Sequence, residues 1–286
     1  QKEELSLTPE QLTLIEKEYK SFVRNGALLS SEDKDKLREI DTESAQLSLL
    51  FGNHVLADTQ AYELHITDKS QLSGIPETSL NQAQELAVSR DKKGWVFTLD
   101  YPSYVPFVTY ADDRELRKKM SLSFGKRGFQ ENENNNEELI LKLIKLKKER
   151  ANLLGYNSHA DFVLEERMAE SVLLVNNFLD DLSQNALPFA KKEWEQIEDF
   201  AKNKLGLEVL NKWDTAYVSE KLKQELFDFD EQILKPYFPL ENVLNGLFEI
   251  VNKLYGLSFK KASNIEGYHK DVTCYEVFNE NGLFVE

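Results

Sequence analysis

Apolar residues recur at helical spacing along most of the chain, and the clearest case runs from residue 240 to residue 255. Val243, Leu244, Leu247, Phe248, Val251, Leu254 and Tyr255 fall on one continuous helical face. Pro236 and Pro239 precede the run, Glu241 occupies its first turn, and Gly256 stands where a left-handed cap is wanted. The pattern predicts a helix that buries this face. In "LTPEQL" (residues 7–12), Thr8 can cap, Pro9 suits a first turn and Gln11 can complete a capping box, for a helix ending near Gly26. "SSEDKDKL" opens a longer helix. Its apolar positions Leu37, Ile40, Leu47, Leu50 or Phe51, and Val55 repeat at three and four, so it should pack along another helix.

"YELHIT" (62–67) alternates like a short strand, and "GWVFTLD" (94–100) is a second, β-rich candidate. A helix rich in Ala and Glu is expected between them, near residues 78–89. From about Asp112 onward the pattern is mostly helical, with elements near 112–125, 136–154, 158–168, 171–204, 214–227 and 240–255. "QENENNNEE" (130–138) reads as a polar loop and a candidate seam. "DVTCYEVFNENGLFVE" reads as a hairpin turning at Asn281-Gly282, with a second strand that breaks off after four residues. That half-written strand leads us to expect that the natural protein continues. No fixed-period repeat is present. The expected fold is mainly α, with a few short strands.

Composition narrows the function more than it identifies it. The 286 residues are 41% hydrophobic and carry a formal charge of -15, from 50 acids against 35 bases. Nucleic acid and anionic membrane surfaces are disfavoured as partners, because both select for Lys and Arg. The densest basic run, "KLIKLKKER" (142–150), reads as the solvated face of a helix. Leu139, Ile140, Leu143, Ile144 and Leu146 supply its buried side. No stretch reaches the roughly 18 to 20 apolar residues of a membrane span. One cysteine, Cys274, excludes a disulfide within the chain and any cysteine-based zinc site, and its apolar setting predicts a packed strand residue.

A search for chemistry finds no motif. His54, His65, His159 and His269 include no pair at i, i+4 and no H-E-x-x-H. Each alone reads as structural, with His54 on or beside the apolar stripe of its helix. Gly256-Leu257-Ser258-Phe259-Lys260 lacks the second glycine of a nucleophile elbow. "FGKRGF" lacks the first glycine and the hydroxyl of a P-loop. No residue is singled out as catalytic, cofactor-binding or metal-ligating.

Longer stretches carry a resemblance. They are "LTPEQLTLIEKEYKSFVRNGALLS" (7–30), "YPSYVPFVTYADDRELRKKM" (101–120), "LKKERANLLGYNSHADFVLEERMA" (146–169), residues 213–259 and "YHKDVTCYEVF" (268–278). In order and in combination they resemble the M3 family of zinc oligopeptidases, the family of thimet oligopeptidase, neurolysin and oligopeptidase A. The text is closest to the bacterial peptidyl-dipeptidase branch. The resemblance implies an almost wholly helical fold with two lobes flanking a narrow channel that admits short peptides. It also implies a zinc ion in the whole protein, held by two histidines of H-E-x-x-H and a glutamate on a following helix, with the motif glutamate as general base. None of those residues matches a position here, so no catalytic or metal residue is carried over. His269 matches a family text position to which no role is attached.

The expectation is therefore the N-terminal part of an M3 zinc metallopeptidase that hydrolyses short peptides, a peptidyl-dipeptidase releasing C-terminal dipeptides. Residues 1–112 would form an N-terminal helical region with two short strands. Residues 113–286 would form the first part of the peptidase region, truncated before the zinc motif. This part would supply a lobe and channel wall, bind no zinc and be inactive alone, its partner being the missing C-terminal half. The expected compartment is the cytoplasm, with the periplasm as alternative. The competing readings are a non-catalytic helical binding or scaffold module and a helical enzyme of another class, which would need a motif that is not found.

Overall fold

The computed structural model describes residues 7–229 and 231–285. Its elements run in the order α1 (Pro9–Arg24), α2 (Ser31–Ala61), β1 (Leu64–Ile66), α3 (Glu77–Ser89), β2 (Trp95–Phe97), α4 (Tyr101–Tyr110), α5 (Arg114–Gly125), α6 (Glu137–Leu153), α7 (His159–Leu164), α8 (Val172–Leu205), α9 (Lys212–Phe227), α10 (Leu240–Tyr255), β3 (Ser258–Lys261) and β4 (Tyr275–Phe278). Short 3-10 turns occupy Lys69–Leu72 and Glu231–Tyr237. The chain is mainly α, as the pattern predicts. It divides into two compact units, Gln1–Leu222 and Lys223–Glu286, and α9 crosses the division.

Local chemistry explains the helix starts. Thr8 and Gln11 form the expected capping box on α1. Ser30, Asp113, Ser158 and Ser171 each accept a backbone N–H in the first turn of α2, α5, α7 and α8. Gly206 and Gly256 take the left-handed conformation that ends α8 and α10.

The core of the first unit forms where a two-stranded antiparallel sheet meets α3, α4 and α5. β1 pairs with β2 in the register Leu64↔Phe97, His65↔Val96 and Ile66↔Trp95. Leu64 and Ile66 therefore point inward with His65 outward. They join Leu72, Ile75, Phe97, Leu99, Phe107 and Met120 in one buried cluster. Phe97 and Phe107 meet edge to face at 4.7 Å, and Tyr104 stacks on Phe124 at 4.0 Å. Gly74 lets the chain turn under this cluster. Its φ is 84°, and a Cβ there would stand 2.2 Å from the Tyr110 carbonyl oxygen.

Several sequence expectations need correction. Helix α4 is absent from the pattern reading, because Pro106 lies inside it and its aromatic, β-branched composition argues for strand. Burial of Phe107 and Val108 overrides those preferences. The run "SFKK", which the pattern reading leaves unassigned after the Gly256 stop, forms β3, paired with β4 in the register Ser258↔Phe278 to Lys261↔Tyr275. The expected hairpin is present at Asn279–Leu283, and Phe284 forms a single bridge to Phe278.

Two apolar faces are less buried than their patterns predict. Of the five apolar positions named on α6 only Leu139 and Leu146 are buried, while Ile140 and Ile144 are 40% and 60% exposed. Five apolar positions span a wider arc than the contact with α2 can cover. On α10 no residue is fully buried; Leu247, Leu254 and Tyr255 are at least half exposed. Phe248 is partly buried, stacked on Phe259 at 4.4 Å and edge-on to Tyr275 at 5.0 Å.

The polar run 130–138 is not a seam. Asp58 of α2 is buried, and its carboxylate accepts hydrogen bonds from Gly128 N (2.7 Å), Gln130 Nε2 (3.0 Å), Asn132 Nδ2 (3.0 Å) and Asn134 Nδ2 (2.8 Å). His54 Nδ1 and Asn136 Oδ1 approach at 2.8 Å beside it. The loop is polar because its amides turn inward onto one charge. Replacing Phe107 by Ala should lower the unfolding free energy of the first unit by about 3–5 kcal/mol. Urea denaturation followed by circular dichroism measures it. A loss below about 1 kcal/mol would mean that the aromatic pair does not organise the core.

Candidate functional site

The most built polar centre lies at the start of α9. Asn211-Lys212-Trp213-Asp214 places a carboxylate in the first turn of the helix, where Asp214 Oδ2 accepts the Asn211 backbone N–H at 3.1 Å. Two arginines of α5 reach it. Arg114 donates from Nε to Oδ1 at 3.0 Å and from Nη2 to Oδ2 at 2.7 Å. Arg117 donates from Nη2 to Oδ1 at 3.1 Å. Asp214 is 0% and Arg117 1% exposed, so both charges are fully removed from water.

Burial of this kind is tolerable only if every donor is used. Arg117 Nη1 donates to the carbonyls of Ala111 (2.8 Å) and Asp112 (3.1 Å), and Nε to that of Trp213 (3.3 Å). The guanidinium also lies 4.0 Å from the centre of the Tyr217 ring. Burial pushes the Asp214 carboxyl up. The hydrogen bonds from Arg114, the Asn211 N–H and Arg117 outweigh it and hold the group below the usual carboxylate range.

A second carboxylate closes the arrangement. Asp112, between α4 and α5, accepts Ser73 Oγ–H at 2.6 Å and the Tyr217 hydroxyl at 2.9 Å. Burial raises the Tyr217 phenol, and its bond to the Asp112 carboxylate raises it further, to about 12. Burial likewise acts upward on Asp112, but its two hydroxyl donors and the Lys221 and Arg117 charges prevail and lower it. The centre holds a salt-bridged carboxylate, two engaged guanidiniums and a phenol that stays protonated at neutral pH. This chemistry fixes backbone; it offers neither a nucleophile nor a general base poised near neutrality.

The histidines are dispersed. His54 sits on α2, His65 bonds the Lys93 carbonyl at 2.7 Å, and His159 starts α7. His269 lies in the second unit, near Asp271. The Nδ1 of His159 is buried without a partner, and burial with nearby Lys147 and Arg150 lowers its pKa. Among the described residues no three His, Cys, Asp or Glu side chains come together in a way that could hold a metal ion. The described residues therefore do not fit a zinc site, and no catalytic step is assigned to them.

Cys274 is half-buried and flanks β4, its carbonyl accepting Ala262 N–H at 2.9 Å. Ser258 follows a helix and opens a strand, the reverse of a nucleophile-elbow order. Gly125-Lys126 ends a helix instead of starting one. In the second unit, a cleft of about 510 Å³ lies between α10 and β3, lined among others by Asn245, Phe248, Glu249, Lys253 and Phe259. No helix of the described residues is long and apolar enough to cross a membrane.

A helical chain with charged anchors and no metal cluster among its described residues does not identify a reaction; comparison with known proteins supplies the class. The profile of peptidase family M3 matches residues 107–286, and the chain belongs to that family. It is 35% identical over 280 residues to oligopeptidase A of Salmonella typhimurium, covering 96% of this chain and 41% of that protein. It is 32% identical over 285 residues to dipeptidyl carboxypeptidase of Escherichia coli, covering 99% and 42%. To saccharolysin of Saccharomyces cerevisiae it is 30% identical, covering 96% and 39%. The chain thus spans about 40% of the length of these relatives.

Asp214→Asn should destabilise the first unit by about 3–5 kcal/mol, because Arg117 keeps a buried charge without its counter-ion. The same carboxyl carries a pH signature. Its pKa is lower folded than unfolded, so its stabilisation is complete above the ordinary value of 3.8 and is lost as pH falls through the folded value. Acid denaturation of the wild type should show this loss, and the Asp214→Asn variant should lack it. Identical acid profiles would remove the ion pair from the stability argument.

The phenol has the opposite sign. Tyr217 is protonated in the fold up to about 12, against an ordinary value of 10.0, so its stabilisation is present below 10 and lost as pH rises toward 12. Tyr217→Phe should abolish a late-ionising component in phenolate absorbance, and Asp112→Asn should move that component to lower pH. A Tyr217 titrating with the exposed tyrosines would contradict the hydrogen bond to Asp112.

Proposed function

We propose that this chain is the N-terminal part of an M3 zinc metallopeptidase that hydrolyses short peptides. The observation that carries the reading is identity at 30–35% across nearly the whole chain to peptidases of which it spans only about 40%. In this reading residues 1–112 precede the peptidase region, which begins near Asp112; the family match from residue 107 supports that start. The 286 residues form a lobe and channel wall and are inactive alone. Zinc belongs to the whole protein, held by residues outside this chain, where the metal would activate water and polarise the scissile carbonyl. The partners are short peptides and the C-terminal catalytic half, and the compartment is the cytoplasm, with the periplasm as alternative.

The finer assignment is a peptidyl-dipeptidase that releases C-terminal dipeptides. Its support is the 32% identity to dipeptidyl carboxypeptidase over 99% of the chain. An oligopeptidase cutting internal bonds is the second reading, favoured by the 35% and 34% identities to two oligopeptidase A sequences. A non-catalytic helical scaffold is the alternative from outside enzymology.

Three measurements separate these readings. The reading frame beyond residue 286 should encode H-E-x-x-H on a helix, followed by a ligand glutamate; a stop codon or an unrelated domain there would favour the scaffold. The full-length protein with zinc should release dipeptides stepwise from the C-terminus of a short peptide. Internal cleavage fragments, read by mass spectrometry, would instead assign the oligopeptidase activity. The 286-residue chain by itself should cleave no quenched fluorescent peptide and should self-associate in light scattering, since Phe178, Leu182 and Phe189 of α8 and Leu247 of α10 are exposed. Metal-dependent cleavage by this chain would place the active site within it.

A further inference from the structure

The sequence contains three Asn-Gly steps, Asn25-Gly26, Asn245-Gly246 and Asn281-Gly282. Asn-Gly is the dipeptide in which a backbone nitrogen can most readily attack the preceding side chain, because glycine carries no Cβ to obstruct ring closure. The fold puts the three steps in different surroundings. Gly246 lies inside α10, where its peptide nitrogen belongs to the helical hydrogen-bond ladder. Gly26 is buried behind α1 and donates to the Val23 carbonyl at 2.9 Å, while Asn25 Nδ2 donates to the Ser21 carbonyl at 3.0 Å. Asn281 and Gly282 are exposed at the tip of the hairpin that follows β4.

We propose that Asn281 is a site of spontaneous deamidation, selected by the fold over Asn25 and Asn245, and that Asn279 restrains the reaction. In the reaction the Gly282 nitrogen loses its proton and bonds to Asn281 Cγ. The Cγ–Nδ2 bond breaks and the side-chain nitrogen leaves as ammonia. Solvent water then opens the succinimide at one carbonyl or the other, giving aspartate or isoaspartate. No oxidant, reductant or enzyme is required.

The restraint is visible in the turn. The Asn279 main-chain oxygen accepts Gly282 N–H at 2.9 Å, which occupies the attacking nitrogen. Asn279 Oδ1 accepts the N–H groups of Asn281 at 3.0 Å and Leu283 at 2.9 Å, which holds the loop in that shape. Reaction therefore requires local opening, which costs least at an exposed loop tip and most inside a helix or a packed cap. Isoaspartate would insert one more carbon into the main chain at the turn and add a negative charge. The bond from Val285 N–H to the Val277 carbonyl, 2.8 Å, would lose its register.

The test is ageing of the 286-residue chain at mildly alkaline pH, with peptide mapping by mass spectrometry to follow all three asparagines. The same chain in concentrated urea and the variant Asn279→Ala are run in parallel. In urea the three sites should convert at similar rates. In the folded chain Asn281 should convert at least about fivefold faster than Asn25 or Asn245, yet more slowly than in urea. Asn279→Ala should speed conversion at Asn281 by about threefold or more. Unchanged slow rates at Asn25 and Asn245 in that variant verify that it is folded. Equal rates at the three sites of the folded chain, or no conversion at Asn281, would overturn the selection. An unaltered Asn281 rate in the Asn279→Ala chain would overturn the restraint.

Discussion

The buried contact between Asp214 and Arg117 constrains the first unit more than any other polar interaction described in it. Two opposite charges withdrawn from water are costly to desolvate, and their attraction offsets that cost only in well-satisfied geometry. Here the geometry is satisfied by backbone from three places: the end of α4, the link to α5 and the start of α9. Each of those segments must stand where it does for the guanidinium to have its partners. A pair separated by 97 residues in sequence thus ties the late helix to the early core. Apolar packing brings β1, β2 and α3 to α5 together, but it is indifferent to small rotations of a helix, and the fork of hydrogen bonds is not.

The same logic recurs on a smaller scale at Asp58. One buried carboxylate gathers four donors from a loop that is otherwise a run of amides and acids. In both places a charge acts as a nucleus for irregular backbone, which cannot satisfy its own hydrogen bonds as helices do. Neither centre carries reactive chemistry. Their depressed carboxyls and the raised phenol follow from structural pairing, a reminder that perturbed ionisation marks anchoring as often as catalysis.

The exposed apolar faces of α8 and α10 show the limit of reading burial from amphipathicity. The hydrophobic period sets where a helix forms and which side would be sequestered. It does not provide the neighbour. On α10 that neighbour is the sheet of β3 and β4, wide enough to seat Phe248 but not the length of the stripe. On α8, about 50 Å long by its rise per residue, only Ala201 is buried among 34 residues.

Sequence by itself determined the helical class and nearly every helix, because period, caps and stop residues act within a few positions of one another. The Thr8 box, the Gly256 stop and the Ser30 and Asp113 caps are local hydrogen-bond problems with local answers. The resemblance to M3 peptidases was likewise carried by contiguous text. Helix α4 was not legible, since proline and aromatic propensities oppose it and only the packing of Phe97, Phe124 and Met120 around it decides in its favour. Nor were the polar centres. Arg114, Arg117 and Asp214 look like three more surface charges in a chain of 85 charged residues, 35 basic and 50 acidic. Asp214 gave one signal, an acid in a helix's first turn, which points to a cap and not to buried partners. Only the tertiary structure decided which charges leave water, because that choice depends on donors 70 to 100 residues away being brought within hydrogen-bonding distance by the packing of the apolar core.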